Sequence, residues 1–163
     1  MPAIYLFVYY NAGLYADFGI NIYYLVIAVY GWFTWKYGNK KFVGKEKGNK
    51  ELKISHTPKR LYPVFAIGTG AAWWAIAWIL KYYTDSTVPY WDAFTTALSI
   101  IGMYMLAHKY VQQWWVWFVV DITSSLLYIY KGLYFTAALY AVYTIIAIFG
   151  YYKWLALMQK EKK

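Results

Sequence analysis

Cysteine is absent from the 163 residues, which excludes disulfide staples, thiolate metal sites and cysteine nucleophiles. Acidic residues are scarce as well, seven Asp and Glu against 16 Lys and Arg. All charged residues together make up 14% of the chain, whereas 62% is hydrophobic and the mean hydropathy is +0.33. A soluble domain of this length cannot hide so much apolar surface. The sequence contains no glycine-rich phosphate loop ending in Gly-Lys-Ser or Gly-Lys-Thr, which excludes ATP hydrolysis of that kind. His56 and His108 fall in or beside polar connections, away from any acidic cluster. Both read as solvated polar residues, and neither a metal site nor a catalytic pair is expected. Met1-Pro2-Ala3 leads into an apolar run without a basic leader, so no cleavable signal peptide is expected.

What the chain does have is long apolar runs. Crossings are predicted at 18–35, 61–81, 92–108, 114–130 and 133–152, with a partial one at 3–10. Each full run approaches the roughly 20 residues that a helix needs to span the hydrocarbon layer. The runs are continuously apolar rather than alternating, which excludes a transmembrane barrel. The predicted class is an all-α polytopic membrane protein, 1–163 forming one transmembrane domain.

The net charge of +9 is unevenly placed. Nine basic residues lie between Lys36 and Arg60, Lys109 follows the third full crossing, and Lys153, Lys160, Lys162 and Lys163 follow the last. Alternation through five crossings puts these fourteen on one face and leaves only Lys81 and Lys131 opposite. That is the positive-inside pattern, so this face and the C-terminus are expected in the cytoplasm, with no nucleic-acid partner. Asp17, Asp85 and Asp92 belong to the outer face. The stretch 36–60 reads as a mobile basic cytoplasmic loop.

Gly13-Leu14-Tyr15, Gly31 and Trp35 recur as Gly132-Leu133-Tyr134, Gly150 and Trp154, at a constant offset of 119. Tyr24 matches Tyr143, and Ile27-Ala28 matches Ile146-Ala147. Two copies of one helix bundle follow from this spacing, and paired membrane bundles enclose a substrate site between them. Both repeat helices run from outside to inside, so the copies are parallel. The second repeat, 92–154, has two crossings ahead of its Gly-Leu-Tyr. The first, 1–35, is therefore expected to lack about one and a half helices, with 61–81 as the linker helix.

Asp121 lies seven residues into its crossing, on the order of 10 Å from the cytoplasmic end and near the midplane. An ionisable group there faces a wet cavity or a partner. Two readings stand open: a substrate counter-ion, or a carboxyl that locks two helices together. Trp114, Trp117, Asp121, Ser124 or Ser125, and Tyr128 share one helix face. Asp92, Thr95 or Thr96, and Ser99 form a second polar stripe; Asn21, Tyr24, Ala28 and Trp32 form a third, matched by Tyr140, Tyr143, Ala147 and Tyr151. Converging inward, these stripes would line a central cavity. A quarter of the chain is aromatic. Trp35, Tyr82, Tyr83, Tyr90, Tyr151 and Trp154 fit an interfacial belt. The deeper Trp117, Tyr24 and Tyr143, beside a carboxylate, suit a flat heterocycle with delocalised positive charge, drawn in by cation–π attraction of roughly 0.5–2 kcal/mol.

Trp114-Trp115-Val116-Trp117 through Asp121, then Lys131-Gly132-Leu133-Tyr134 to Gly150 and Trp154, resemble the Pnu-type (PnuC-like) vitamin transporter family. So do Gly13-Leu14-Tyr15-Ala16-Asp17, Asn21, Tyr24 and Tyr30-Gly31-Trp32, and Tyr90-Trp91-Asp92 with Thr95, Thr96 and Ser99. The resemblance implies a SWEET-like 3+1+3 helix bundle, a homotrimer, and no enzymatic activity. It also implies facilitated diffusion of nicotinamide riboside or thiamine across the bacterial inner membrane, followed by phosphorylation by a separate kinase. No resident cofactor is implied. Trp117 and Asp121 are the leading expected contacts, with Trp114, Asn21, Tyr24, Thr95, Ser99, Tyr140 and Tyr143 around them. Proton-coupled import through Asp121, and a non-transporting membrane subunit, are the rival expectations.

Overall fold

The computed structural model describes residues 15–37, 52–84 and 86–160, with backbone only for 15–21 and 37. The partial crossing at 3–10, Gly13, most of the basic loop, Asp85, and the side chains of Asp17 and Asn21 lie outside the described residues. Five helices follow in order: α1 Tyr15–Tyr37, α2 Leu61–Tyr83, α3 Pro89–Ala107, α4 Gln113–Tyr130 and α5 Tyr134–Lys160.

Local chemistry sets their ends. Pro89 opens α3 from its first turn, where a missing N–H costs nothing. Thr84 leaves α2 in an extended conformation. Gly132, at φ 73°, makes the tight turn between α4 and α5, a conformation that favours glycine. α5 runs well past the apolar stretch ending at 152, because no breaker follows and Lys160 complements the carbonyl end of the helix.

The shortest helix has 18 residues, about 27 Å at 1.5 Å per residue. α2 and α5 are long and apolar enough to cross a membrane, each with mean hydropathy 1.5. The other three predicted crossings fall below that apolarity. In α3 and α4 the cause is the inward row of Asp92, Thr95, Ser99, Gln113, Asp121 and Ser124.

α3 sits centrally, packed by α1, α2 and α4, and α5 packs on α4. The seams are built from small residues: Ala93 and Ala97 are wholly buried, and Ala107, Ala137 and Ala147 nearly so. A Cβ on Gly31 would sit 3.3 Å from Ala107 Cβ, so α1 and α3 nearly touch there. Small residues let membrane helices approach closely and gain dispersion contacts. Large side chains point outward instead: Ile67, Trp74, Phe135 and Phe149 are among the exposed apolar residues. A contiguous surface of this kind suits lipid rather than water.

One expectation changes here. Residues 52–60 do not wander: Ser55 N–H donates to Lys109 O at 3.1 Å, Val111 N–H to Ser55 O at 3.0 Å, and Thr57 N–H to Gln112 Oε1 at 2.8 Å. This segment is pinned to the α3–α4 turn mainly by backbone bonds, which have no side-chain signature, with the Gln112 side chain adding one more anchor. The histidines stay exposed or partly exposed, as expected, and each has a partner within the protein. Gln112 Nε2 donates to His56 Nδ1 at 2.7 Å, and His108 Nδ1 lies 2.9 Å from Tyr104 O, its ring stacked on Tyr110.

Candidate functional site: a central aromatic cavity with one unpaired carboxylate

α1, α3, α4 and α5 surround a cavity of about 1020 Å³, with Leu80 of α2 at its edge. Trp117, Asp121, Trp114, Tyr24, Thr95, Ser99, Tyr140 and Tyr143 all line it. The structure thus brings together every expected site residue except Asn21, whose side chain lies outside the described atoms. Neither Trp117 nor Asp121 faces the outer surface.

Asp121 is 7% exposed. Among the described residues, no hydrogen bond or ion pair to its carboxylate is found. A helix lock requires such a partner, since an unpaired buried carboxylate costs stability instead of supplying it. Tyr128 and Tyr140 stack beside it at 5.3 Å and 26°, and Tyr143 meets Tyr140 edge-on at 5.9 Å. Several π faces therefore border one unpartnered carboxyl group.

The hydroxyls on α3 are partly committed. Ser99 Oγ donates to Thr95 O at 2.8 Å, and Thr95 Oγ1 and Thr96 Oγ1 donate to Asp92 O at 3.0 and 2.8 Å. Their protons bind their own helix, so their oxygens are left as acceptors. Asp92, also on the cavity wall, is neutralised by Lys131 Nζ at 3.0 Å and accepts from Ser86 Oγ at 2.8 Å. Asp121 is then the cavity's one carboxylate without a cation among the described residues.

Indoles gather where α1 and α5 end and α4 begins. Trp114 meets Trp154 edge-on at 5.6 Å, and Trp154 meets Trp35 at 6.5 Å. Trp35 Nε1 donates to the carbonyls of Leu106 and Ala107 at 3.2 and 3.1 Å, with Lys109 Nζ 4.7 Å from its ring. Trp35 and Trp154 thus touch each other while staying partly exposed at the helix ends, a placement that fits both packing and an interfacial belt. An indole at a helix end satisfies either pattern, so sequence alone does not separate them.

Gln113 was missed. It is 1% exposed, lines the cavity, and accepts from Trp117 Nε1 at 2.7 Å. Its signal was present: it stands four residues before Trp117, on the face that continues to Asp121, Ser124 and Tyr128. Its position ahead of the apolar run made it look like part of a loop.

Five closely packed helices, a lipid-suited exterior and a polar-aromatic chamber define a helical membrane protein built around a solute-sized cavity. The family model described as nicotinamide mononucleotide transporter matches residues 1–156, and the chain belongs to that family. Nicotinamide riboside transporter PnuC of Escherichia coli is 22% identical over 170 residues, covering 91% of this chain and 70% of that protein. Riboflavin/roseoflavin transporter RibM of Streptomyces davaonensis is 25% identical over 140 residues, covering 85% and 63%. Nicotinamide riboside transporter PnuC of Neisseria mucosa is 25% identical over 168 residues, covering 98% and 62%. The chain therefore spans between 62% and 70% of these relatives' length. The fold matches a crystal structure of the vitamin B3 transporter PnuC with a TM-score of 0.66 at 21% identity, over 98% of this chain and 69% of that one.

Proposed function

We propose that this protein carries nicotinamide riboside across the bacterial inner membrane by facilitated diffusion. A separate kinase then phosphorylates the vitamin in the cytoplasm and keeps uptake running downhill. The observation behind this reading is Asp121, a buried carboxylate with no hydrogen-bond partner among the described residues, bordering an aromatic cavity. Such a group is costly unless a cation comes to it, and the pyridinium ring of nicotinamide riboside is a flat cation. Trp117 stacks on that ring and Asp121 supplies the counter-charge. Trp114, Asn21, Tyr24, Thr95, Ser99, Tyr140 and Tyr143 complete the contacts. The names of the E. coli and Neisseria relatives point to the same vitamin. Thiamine, with its thiazolium ring, is the second reading, favoured by the same pairing of carboxylate and π faces.

The chain is organised as parallel repeats within a SWEET-like arrangement, its C-terminus in the cytoplasm, and it assembles as a homotrimer. Support for the repeat comes from Trp35 and Trp154, equivalent under the 119-residue offset and in ring contact. Equivalent residues meet only beside the axis that relates them. The substrate thus sits between the halves and leaves inward as they rock apart at this indole contact.

Uptake of labelled nicotinamide riboside and of thiamine into proteoliposomes tests the reading. Saturable uptake that persists without a proton gradient is expected for one of them. Asp121→Asn should weaken binding of the cation by about tenfold, the value of roughly 1.4 kcal/mol, while leaving the melting temperature unchanged or raised. Uptake abolished by collapse of the gradient would replace facilitated diffusion with proton coupling. No saturable uptake of either vitamin would end the proposal.

A further inference from the structure

We propose that Gln113 is a specificity-determining residue, working from both ends of its side-chain amide. One end fixes the Trp117 indole; the other offers a hydrogen bond to a neutral acceptor oxygen on the substrate. This inference rests on the proposed function and deepens it.

The orientation of the amide follows from its partner. The indole Nε1 of Trp117 can only donate, so the amide atom 2.7 Å from it is the oxygen. The ring is also held by α3: a Cβ on Gly102 would stand 3.3 Å from Cε2 and Cζ2 of Trp117. With the oxygen engaged, Nε2 points elsewhere, and it is buried without a partner among the described residues. The adjacent Trp114 Nε1 is buried and unpartnered as well. Two orphaned donors thus belong to neighbouring side chains on the inner part of the cavity wall.

Buried donors are almost always paired, and an orphan marks a place where a partner arrives. Neither nitrogen borders open space as the side chains stand. A substrate oxygen meets them by pressing into the cavity floor, where the bond forms out of water. The acceptor is neutral, because no Lys or Arg among the described residues lines the cavity and Asp121 would repel an anion. An exocyclic carbonyl on a cationic ring meets both conditions, with the ring on Trp117 and its oxygen toward Gln113.

The test uses two ligands on the purified full chain: nicotinamide riboside, and the pyridinium riboside that lacks the carboxamide. Calorimetric titration should show the intact protein favouring the carbonyl-bearing ligand by about tenfold, as expected for one or two net hydrogen bonds. Gln113→Glu keeps an acceptor for Trp117 but removes the donor, so the preference should shrink to about twofold. Gln113→Met removes both ends, so it should shrink the preference as Gln113→Glu does and also weaken both ligands; that common loss should disappear when Trp117→Phe has already deleted the indole N–H. If the intact protein binds both ligands within twofold, the inference fails whatever the variants do, and the proposed function survives. If Gln113→Glu keeps the tenfold preference, the donor role fails. If the intact protein binds neither ligand, the proposed function falls and this inference goes with it.

Discussion

Gly150→Ala adds one methyl group at the described glycine with the least room for one. Its Cβ would stand 2.5 Å from Cη2 and Cζ3 of Trp114 and 2.6 Å from Cε3. Those atoms belong to a rigid ring, which cannot fold away as a flexible chain end would. The ring is also braced by Trp154 at 5.6 Å. Overpacking of this kind costs roughly 1–3 kcal/mol. The gain in helix propensity from Gly to Ala returns up to about 1 kcal/mol. A 2.5 Å contact with a rigid ring lies at the upper end of that cost, so the net loss is about 2 kcal/mol, or several degrees at roughly 2–4 °C per kcal/mol for a chain of this size. Gly70 supplies the control, since a Cβ there meets nothing within 4 Å, and Gly70→Ala should melt at or slightly above the parent. Thermal unfolding in detergent, followed by tryptophan fluorescence, measures both. Trp114→Leu removes the obstructing ring, so in that background Gly150→Ala should become nearly neutral. The reasoning is refuted if Gly150→Ala melts with the parent, or if its cost is undiminished beside Leu at 114.

Two further outcomes follow from the geometry. Gly102→Ala places a methyl 3.3 Å from the Trp117 ring and from Val116 Cγ1; the indole must shift by a few tenths of an ångström, and ligand affinity should fall several-fold while the melting temperature moves little. A titration beside a melting curve checks this, and unaltered affinity would show that the ring's placement is not critical. Lys131→Met exposes the charge of Asp92, but the pair is 27% exposed on each side, so stability should drop by no more than about 1 kcal/mol. Raising the salt concentration should shrink the gap between Lys131→Met and the parent, and a salt-independent loss would contradict the screening argument.

The helices and the chamber were legible because both rest on periodicity. Apolar runs locate α1 to α5, and the spacing of Trp114, Trp117, Asp121 and Tyr128 forces them onto one side of α4. Helix neighbours were not legible in the same way. α1 packs on α3 through Gly31 and Ala107, and glycine or alanine at a seam looks no different in sequence from either residue facing lipid. Pairing of Asp92 with Lys131 was hidden by a separation of 39 positions, and pinning of 52–58 rests mainly on main-chain atoms that every residue carries. Gln113 was overlooked for a different reason. A glutamine at a helix start is common in turns, and only its bond to Trp117 reveals the direction in which it points.

Bulky residues lie outside this bundle and methyl-sized ones within. A lipid-facing position accepts nearly any greasy side chain, so Phe135 or Phe149 can be exchanged over generations with little penalty. Ala93, Ala97 and Gly150 have no such latitude, because one extra carbon pries two backbones apart. Most of the chain can therefore drift while a few slender seams keep its shape, which accounts for a shared architecture at only 21% identity.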